Sequence, residues 1–445
     1  MSHILFDLPP LSPDYSGVAS VFHDLGALTI LHDASGCTGT YTGYDEPRWF
    51  GSSSPTFCSG LREMDAIMGD DDKLLEKIKV AAREIRPPCV NIVGSPVPMV
   101  IGFDFKGFAS LVERETGIPA FGFSADGLHY YDQGQRDAYL AIVSRLLETS
   151  PRKIKGINTA GQALHQKQIR DLRPPAAASV ASRGVLSPSF PHSLDHARAS
   201  TVAISLRSSI KRAVNILGAS ALDGFDGAAL DALEEMLVDG GFTRLAVWGE
   251  RSPWEELKES AAAELNWVVS AAALPLARFF EECFGTPFVA GLPVGREEHD
   301  RIFSTLNTCC GGEKPARQFP PVPAVLNQKP ETMIIGEALF CSSLRAFLEA
   351  EGASGPTGIS IGTFFTQGRD FLRPGDHLFA HEDDAREALS NPHLKRVFAD
   401  PLVEALVPEG VRIRFTPLPH RAISGRLYNE SLARFFSVSP CLETA

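Results

Sequence analysis

Apolar residues follow two alternating patterns along this chain. In the stretch DDDKLLEKIKVAAREIRPP (70–88), apolar residues recur every three or four positions with charged residues between them. This spacing predicts an amphipathic helix, and Pro87 is expected to end it. The stretch CVNIVGS (89–95) that follows is a short apolar run, which predicts a buried strand.

The same alternation of strand and helix returns twice more, from VNILG (214–218) and from ETMIIGE (331–337). Strands separated by helices at this spacing predict an α/β fold, in which parallel sheets are covered by helices on both faces. We therefore predict three such units, at residues 1–150, 214–325 and 326–445.

Residues 151–213 differ from the rest of the chain, because they hold eleven Lys or Arg residues against two acidic ones. The segment predicts an exposed linker or insertion. A docking arm for an acidic partner is the alternative. Nucleic-acid binding has no support, since the segment contains no Trp or Tyr.

Composition narrows the classes of function. The chain has 445 residues and a net charge of −12, so the molecule as a whole is not expected to bind polyanions. It has no run of 18 apolar residues and no positively charged N-terminal region of the kind that begins a signal peptide. We therefore expect a cytoplasmic protein that neither spans a membrane nor is secreted. It also lacks GxxxxGK[ST], the phosphate loop of many ATPases.

Eight cysteines are scattered along the chain without a CxxC motif. In a large intracellular protein, metal binding, catalysis or burial explains such cysteines better than disulfides. Cys37 follows a strand-like run in a Gly-flanked predicted loop, and Cys58 lies just before a probable helix start. Thiolates are the preferred ligands of iron–sulfur clusters, and a helix start favours thiolate charge. By themselves, two isolated cysteines of this kind are more often structural.

Three motifs of the first 150 residues resemble the nitrogenase component 1 family. HDASGC is similar to the family's His-Gly-x-x-Gly-Cys, with Asp33 in place of Gly. CSGLREMDAIMGD is similar to its second cysteine segment, and PPCVNIVGSPVPMVIGFD to its next strand and turn. VNILG, FGTPFVAGLPVG and LPHRAISGRLY also resemble family segments. The resemblance excludes 151–213 and implies three Rossmann-like parallel-sheet units of the nitrogenase component 1 type.

The resemblance also implies an iron–sulfur cluster, 4Fe–4S or larger, that Cys37 and Cys58 bind and that is shared between subunits. The chain departs from the dinitrogenase pattern at Val97, where the third cluster cysteine is expected. Cys89 cannot replace it, because eight extended residues span roughly 26 Å at about 3.3 Å each, which puts Cys89 at the other end of the sheet. One chain therefore offers two thiolates.

The second family site is a substrate cavity between the units. His420 resembles the region of the cofactor histidine, and His129 and Tyr131 resemble residues that line the cavity. We therefore predict His420 and His129 as catalytic residues, although His420 could instead cap a turn. Val269 stands where dinitrogenase has a cofactor cysteine, so a tetrapyrrole or another unsaturated or sulfur-containing small molecule is the expected substrate.

Several other residues have simpler expected roles. Arg48 and Trp49 could cover the cluster or a substrate, or they could anchor a surface loop. Cys309 and Cys310 form a vicinal pair in a predicted loop, and Cys341 lies on an amphipathic helix and is predicted to be buried.

The resemblance implies a nitrogenase-like oxidoreductase subunit that receives electrons from a separate ATP-dependent iron–sulfur reductase and reduces a small molecule. The expected assembly is a homodimer, or a heterodimer or heterotetramer with a related component 1 subunit, with no nucleic acid and no membrane. Two alternatives stay open: a scaffold for metallocluster or cofactor assembly, and a cluster-free binding protein on the same fold.

Overall fold

The computed structural model describes residues 6–51, 54–69, 71–149, 212–310, 318–320, 330–352, 358–428, 430–437 and 440. All but the last two residues of the basic segment 151–213 therefore lie outside the described residues. Within these ranges, the helices are too short or too polar to cross a lipid bilayer.

The described strands form three sheets, and every pairing within them is parallel. The first sheet has the order β2-β1-β3-β4, the second β6-β5-β7-β8, and the third β11-β10-β9-β12-β13. The strands are β1 Leu28–Leu31, β2 Thr56–Cys58, β3 Val90–Val93, β4 Ala120–Phe123, β5 Ala213–Ala219, β6 Thr243–Gly249, β7 Leu265–Val268, β8 Phe288–Ala290, β9 Thr332–Ile335, β10 Ile359–Thr363, β11 His377–Leu378, β12 Arg396–Ala399 and β13 Arg414–Pro417. The prediction of an α/β fold with three parallel-sheet units is confirmed.

Helices connect successive strands, as parallel pairing requires. The described α-helices are α1 Asp14–Phe22, α2 Gly36–Thr40, α3 Glu63–Met68, α4 Asp71–Ile85, α5 Pro96–Val100, α6 Phe105–Thr116, α7 Tyr131–Thr149, α8 Gly227–Asp239, α9 Trp254–Leu257, α10 Leu274–Phe284, α11 Gly295–Cys310, α12 Ala338–Ala350, α13 Glu382–Leu389 and α14 Arg421–Ser424. A single π-helical turn, Tyr41–Asp45, follows α2.

The helices of the first unit form where the sequence pattern predicts them. In α4 the buried residues Leu74, Leu75, Ile78 and Ala82 recur at helical spacing and pack against the first sheet, whereas Ile85 at the helix end is exposed. In α6 the Asp104 carboxylate accepts a hydrogen bond from the N–H of Gly107, which caps the helix start. Gly117 ends α6 with a φ of 72°, a left-handed conformation that glycine adopts without strain.

Two local predictions are wrong. Cys37 lies in the short helix α2 rather than in an open loop. Cys309 and Cys310 are the last residues of α11 and not part of a loop. Ile302, Leu306 and Cys309 form one buried face of that helix. This helical periodicity, which continues to Cys310, is stronger than the loop signal of the glycines that follow.

Candidate functional site

Both candidate ligand cysteines lie at the carboxyl edge of the first sheet. Cys58 is the last residue of β2 and pairs in register with Leu31, the last residue of β1. The chain leaves β1 and enters α2, where Cys37 is the second residue. Both thiols are free and half-buried, so they remain within reach of a ligand at this edge. Cys89, by contrast, is buried directly before β3 at the opposite edge, as predicted.

The Cys58 sulfur is held by backbone groups. Its Sγ lies 3.4 Å from the carbonyl oxygen of Asp33, and the N–H of Gly60 donates to the same sulfur at 3.3 Å. These two backbone contacts fix the position of the sulfur at the end of β2.

The Cys37 sulfur contacts the hydroxyl groups of Tyr15 and Ser95. Burial raises the pKa of the Cys37 thiol, and the nearby carboxylates of Asp33 and Asp14 raise it further. These neighbours add negative charge around the thiol, and a bound metal would supply the positive charge that favours the thiolate.

Exposed apolar side chains surround this edge. Helix α3 follows β2 and exposes Met64, Ile67 and Met68, the last of them by 72%. Helix α5 follows β3 and exposes Val97 and Val100. Exposed apolar side chains concentrated at one edge mark an interaction surface more often than a solvated one. We call the exposed side chains of α3 and α5 the thiol-edge surface.

His129 lies beyond β4 at the same edge of the sheet. Its Nδ1 is 3.2 Å from Oδ1 of Asp126 and 3.9 Å from Oδ2 of Asp14. The hydrogen bond to Asp126 raises the pKa of His129, although partial burial opposes it. Asp14 directly precedes Tyr15, which contacts Cys37. His129 is therefore a half-exposed histidine with a raised pKa, and it is linked to Cys37 through Asp14 and the adjacent Tyr15.

His420 lies elsewhere, where the three units meet. Its ring stacks on Phe365 with centroids 5.1 Å apart and lies 6.0 Å from the ring of Tyr131. Burial lowers the pKa of His420 to about 3, so the ring is neutral. Neither ring nitrogen has a hydrogen-bond partner among the described residues. His420 also precedes α14 without a side-chain capping bond, which disfavours a role as a turn cap.

The sequence analysis missed the acidic groups at this junction. The Tyr131 hydroxyl donates to Oδ1 of Asp223, which follows β5. Burial raises the pKa of Asp223, and the charge of the nearby Glu337 carboxylate raises it further. Burial also raises the pKa of Glu337, which follows β9. Both follow the carboxyl end of a buried strand, and that position in the sequence is the signal that could have found them.

The structure therefore separates the two predicted catalytic histidines. His129 is at the thiol edge and His420 at the three-unit junction, and the ring of Tyr131, two residues after His129, contacts the His420 ring at the junction. Val269 is buried beside β5, with its N–H donating to Leu217, so no thiol stands there. Cys341 is fully buried, as predicted.

Arg48 and Trp49 anchor their loop. The Arg48 guanidinium donates to Glu46 at 2.7 Å and to Asp24 at 3.0 Å, and it reaches Glu250 of the second unit at 3.4 Å. The Trp49 ring meets the ring of Tyr41 edge-on. Of the two interpretations of these residues, the anchored loop is the one that the contacts favour.

The donor set at the thiol edge fits an iron–sulfur cluster in kind but not in number. Two partly exposed sulfur atoms, on Cys58 at the end of β2 and on Cys37 in the helix after β1, are suitable soft ligands, whereas such clusters commonly take four. In the position where a third thiol is expected, the exposed Val97 offers no donor atom.

Comparisons with known proteins agree with this architecture. Solved structures described as "Nitrogenase Cp1 at pH 6.5" and "Nitrogenase Cp1 at pH 5" match with TM-scores of 0.59 and 0.54 and sequence identities of 12% and 13%. The first match covers 96% of this chain and 89% of that chain, and the second 94% and 85%.

At the sequence level, an 81-residue stretch is 36% identical to the light-independent protochlorophyllide reductase subunit N of Adiantum capillus-veneris. That stretch spans 18% of this chain and 18% of the relative. The model of the family described as nitrogenase component 1 type oxidoreductase matches residues 14–334, which include both thiols, the first two sheets and the start of the third. The chain therefore belongs to the nitrogenase component 1 type oxidoreductases.

Proposed function

We propose that this chain is a subunit of a nitrogenase-like oxidoreductase, in which Cys37 and Cys58 are ligands of an iron–sulfur cluster shared with a partner subunit. The observation that carries the proposal is the pair of partly exposed thiols at one edge of the first sheet, Cys58 at the end of β2 and Cys37 in the helix after β1, next to the thiol-edge surface. When bound, such a cluster stores and releases single electrons at a potential that its surroundings tune.

A partner subunit completes the ligand set. Two thiolates per chain are half of the usual four, so a second copy of this chain or a related component 1 subunit would add the remaining ligands. The exposed apolar side chains of α3 and α5 support docking at this edge, because association would bury them.

Electrons reach this subunit from a separate protein. The chain has no GxxxxGK[ST] loop, so ATP hydrolysis is assigned to a distinct ATP-dependent iron–sulfur reductase. This division of tasks is the one that membership of the family implies.

The three-unit junction is the proposed substrate side. There the neutral His420 ring can accept or donate a hydrogen bond, and the Asp223 carboxyl, with its raised pKa, can hold a proton beside the Tyr131 hydroxyl. The relative named protochlorophyllide reductase makes a tetrapyrrole the first substrate class to test, followed by other unsaturated or sulfur-containing small molecules.

A scaffold for metallocluster or cofactor assembly is the second candidate. The observation that favours it is the close packing of the His420 ring between the rings of Phe365 and Tyr131. These rings fill the space beside the histidine at the junction. Turnover with a cognate ATP-dependent reductase would support the catalytic role. Cluster transfer to an apo-protein without turnover would support the scaffold.

The deciding experiment is iron and sulfide analysis after anaerobic purification of the full chain with its co-purifying partner. We expect iron and sulfide in the wild type and a loss of at least half of both in Cys37→Ser and in Cys58→Ser. Cys283→Ser is the matched control, because this half-buried thiol lies on α10 of the second unit.

Two results would contradict the proposal. A wild-type protein without iron, sulfide or charge-transfer absorption would leave the cluster-free binding protein as the function. Unchanged iron in Cys37→Ser would exclude that residue as a ligand.

A further inference from the structure

Asp33 contacts both thiol-bearing segments at the carboxyl edge of the first sheet. We propose that Asp33 is a positioning residue that holds these two segments together and places a fixed negative charge beside the cluster, which lowers the reduction potential of the cluster. This inference rests on the proposed function, because it concerns the cluster that Cys37 and Cys58 would bind.

The Asp33 side chain organises the segment that carries Cys37. Its Oδ2 accepts hydrogen bonds from the N–H of Ser35 at 3.0 Å, the N–H of Thr38 at 3.0 Å and the hydroxyl of Thr38 at 3.3 Å. The two donor residues lie on either side of Cys37. A glycine at position 33 could make none of these three bonds.

The backbone of Asp33 contacts the segment that carries Cys58. Its carbonyl oxygen lies 3.4 Å from Cys58 Sγ and accepts a hydrogen bond from the Ser59 hydroxyl at 3.1 Å. Its N–H donates to the same hydroxyl at 3.0 Å. One residue therefore sets the position of both thiols relative to each other.

The backbone conformation of Ser35 shows why the Asp33 side chain is needed. This residue has a φ of 142°, a conformation that residues other than glycine rarely adopt. Such strain persists only when surrounding contacts hold it. The bond from the Ser35 N–H to Asp33 is a contact of this kind, and it directs the chain into α2.

The Asp33 carboxylate lies beside the Cys37 segment without a basic partner among the described residues. The residue is only 3% exposed, and no Lys or Arg in the described ranges forms an ion pair with it. Its Oδ2 is bonded to the N–H groups of Ser35 and Thr38, so the charge lies next to the segment that carries Cys37. A nearby negative charge opposes the addition of an electron, and net charge is one determinant of cluster potential.

The test compares two substitutions that separate position from charge. Asp33→Asn keeps an acceptor oxygen for the N–H groups and removes the charge, whereas Asp33→Ala removes both. We expect Asp33→Asn to keep wild-type iron content and to shift the midpoint potential of the cluster to a more positive value. We expect Asp33→Ala to lose at least half of its iron.

The control is Asp104→Asn, since Asp104 also accepts a backbone hydrogen bond at a helix start but is exposed. Potentials are measured by redox titration monitored by electron paramagnetic resonance, on the full chain with its partner. An Asp33→Asn potential equal to that of wild type would overturn the charge role. Full iron in Asp33→Ala would overturn the positioning role. Either result leaves the proposed function standing, whereas an iron-free wild type would end it.

Discussion

The buried ion pair between Arg48 and Glu46 gives a stability prediction with a calculable size. Arg48 donates to Glu46 through both Nε and its backbone N–H, and the Glu46 side chain is fully buried. We consider Arg48→Met, which keeps much of the apolar side-chain stem and removes the charge.

The expected loss follows from the pKa of Glu46. Burial by itself would raise this pKa, but the charge and hydrogen bonds of Arg48, with a smaller contribution from His23, lower it from 4.5 to about 2. At about 1.36 kcal/mol per unit, this shift corresponds to ~3 kcal/mol of folding free energy. Because the folded-state pKa is lowered, the contribution is present above pH 4.5 and is lost as the pH falls through 2.

At pH 7 the free energy of unfolding of Arg48→Met should therefore be lower by ~3 kcal/mol or more, since removing Arg48 leaves the Glu46 charge buried and unpaired. The measurement is urea unfolding followed by tryptophan fluorescence, at pH 7 and at pH 4, where protonation of Glu46 in the variant should reduce the difference. Arg251→Met is the control, because the Arg251–Asp231 pair is about half exposed and should contribute at most about 1 kcal/mol. Equal losses in the two variants at pH 7 would refute the reasoning.

Two further predictions concern the first unit. Nuclear magnetic resonance titration should give His129 a pKa above 6.5 in the wild type and a lower value in Asp126→Asn, because the hydrogen bond to Asp126 is the main cause of the shift. Any stability that this pair contributes is present below pH 6.5 and is lost as the pH rises through the folded-state pKa. An unchanged His129 pKa in the variant would contradict the assignment. Gly122→Ala should lower the free energy of unfolding, measured by heat or urea, by about 1–3 kcal/mol, because the added Cβ would lie 2.0 Å from a carbonyl oxygen of α6. Gly39→Ala is the control, because nothing lies within 4 Å of the methyl group added there. An equal loss in both variants would contradict the prediction.

The fold could be predicted from the sequence because local patterns determine much of it. The periodicity of α4, the continuous apolar run of β3 and the terminators of α6 each depend on residues close in the chain. The positions of Cys37 and Cys58 were also predictable in part, because carboxyl ends of adjacent parallel strands share one edge.

The partners of the site residues could not be predicted, because they are distant in sequence. Arg48 pairs with Glu250 across the boundary between two units, and Tyr131 reaches Asp223 in the second unit. Helical and strand periods describe which face of an element is buried and contain no information about such pairs. The same limit explains why His129 and His420, predicted together, lie in different environments.

The thiol-edge surface also has a consequence for how much of the protein accumulates in the cell. In the proposed assembly, a newly made chain that has not met its partner exposes both apolar side chains and oxidisable thiols at one edge. Such an orphan subunit is a substrate for chaperones and proteases, and its thiols are open to oxidation. Its abundance should therefore depend on the rate of assembly as much as on the rate of synthesis, so balanced co-production with the partner is a condition for accumulating the intact protein.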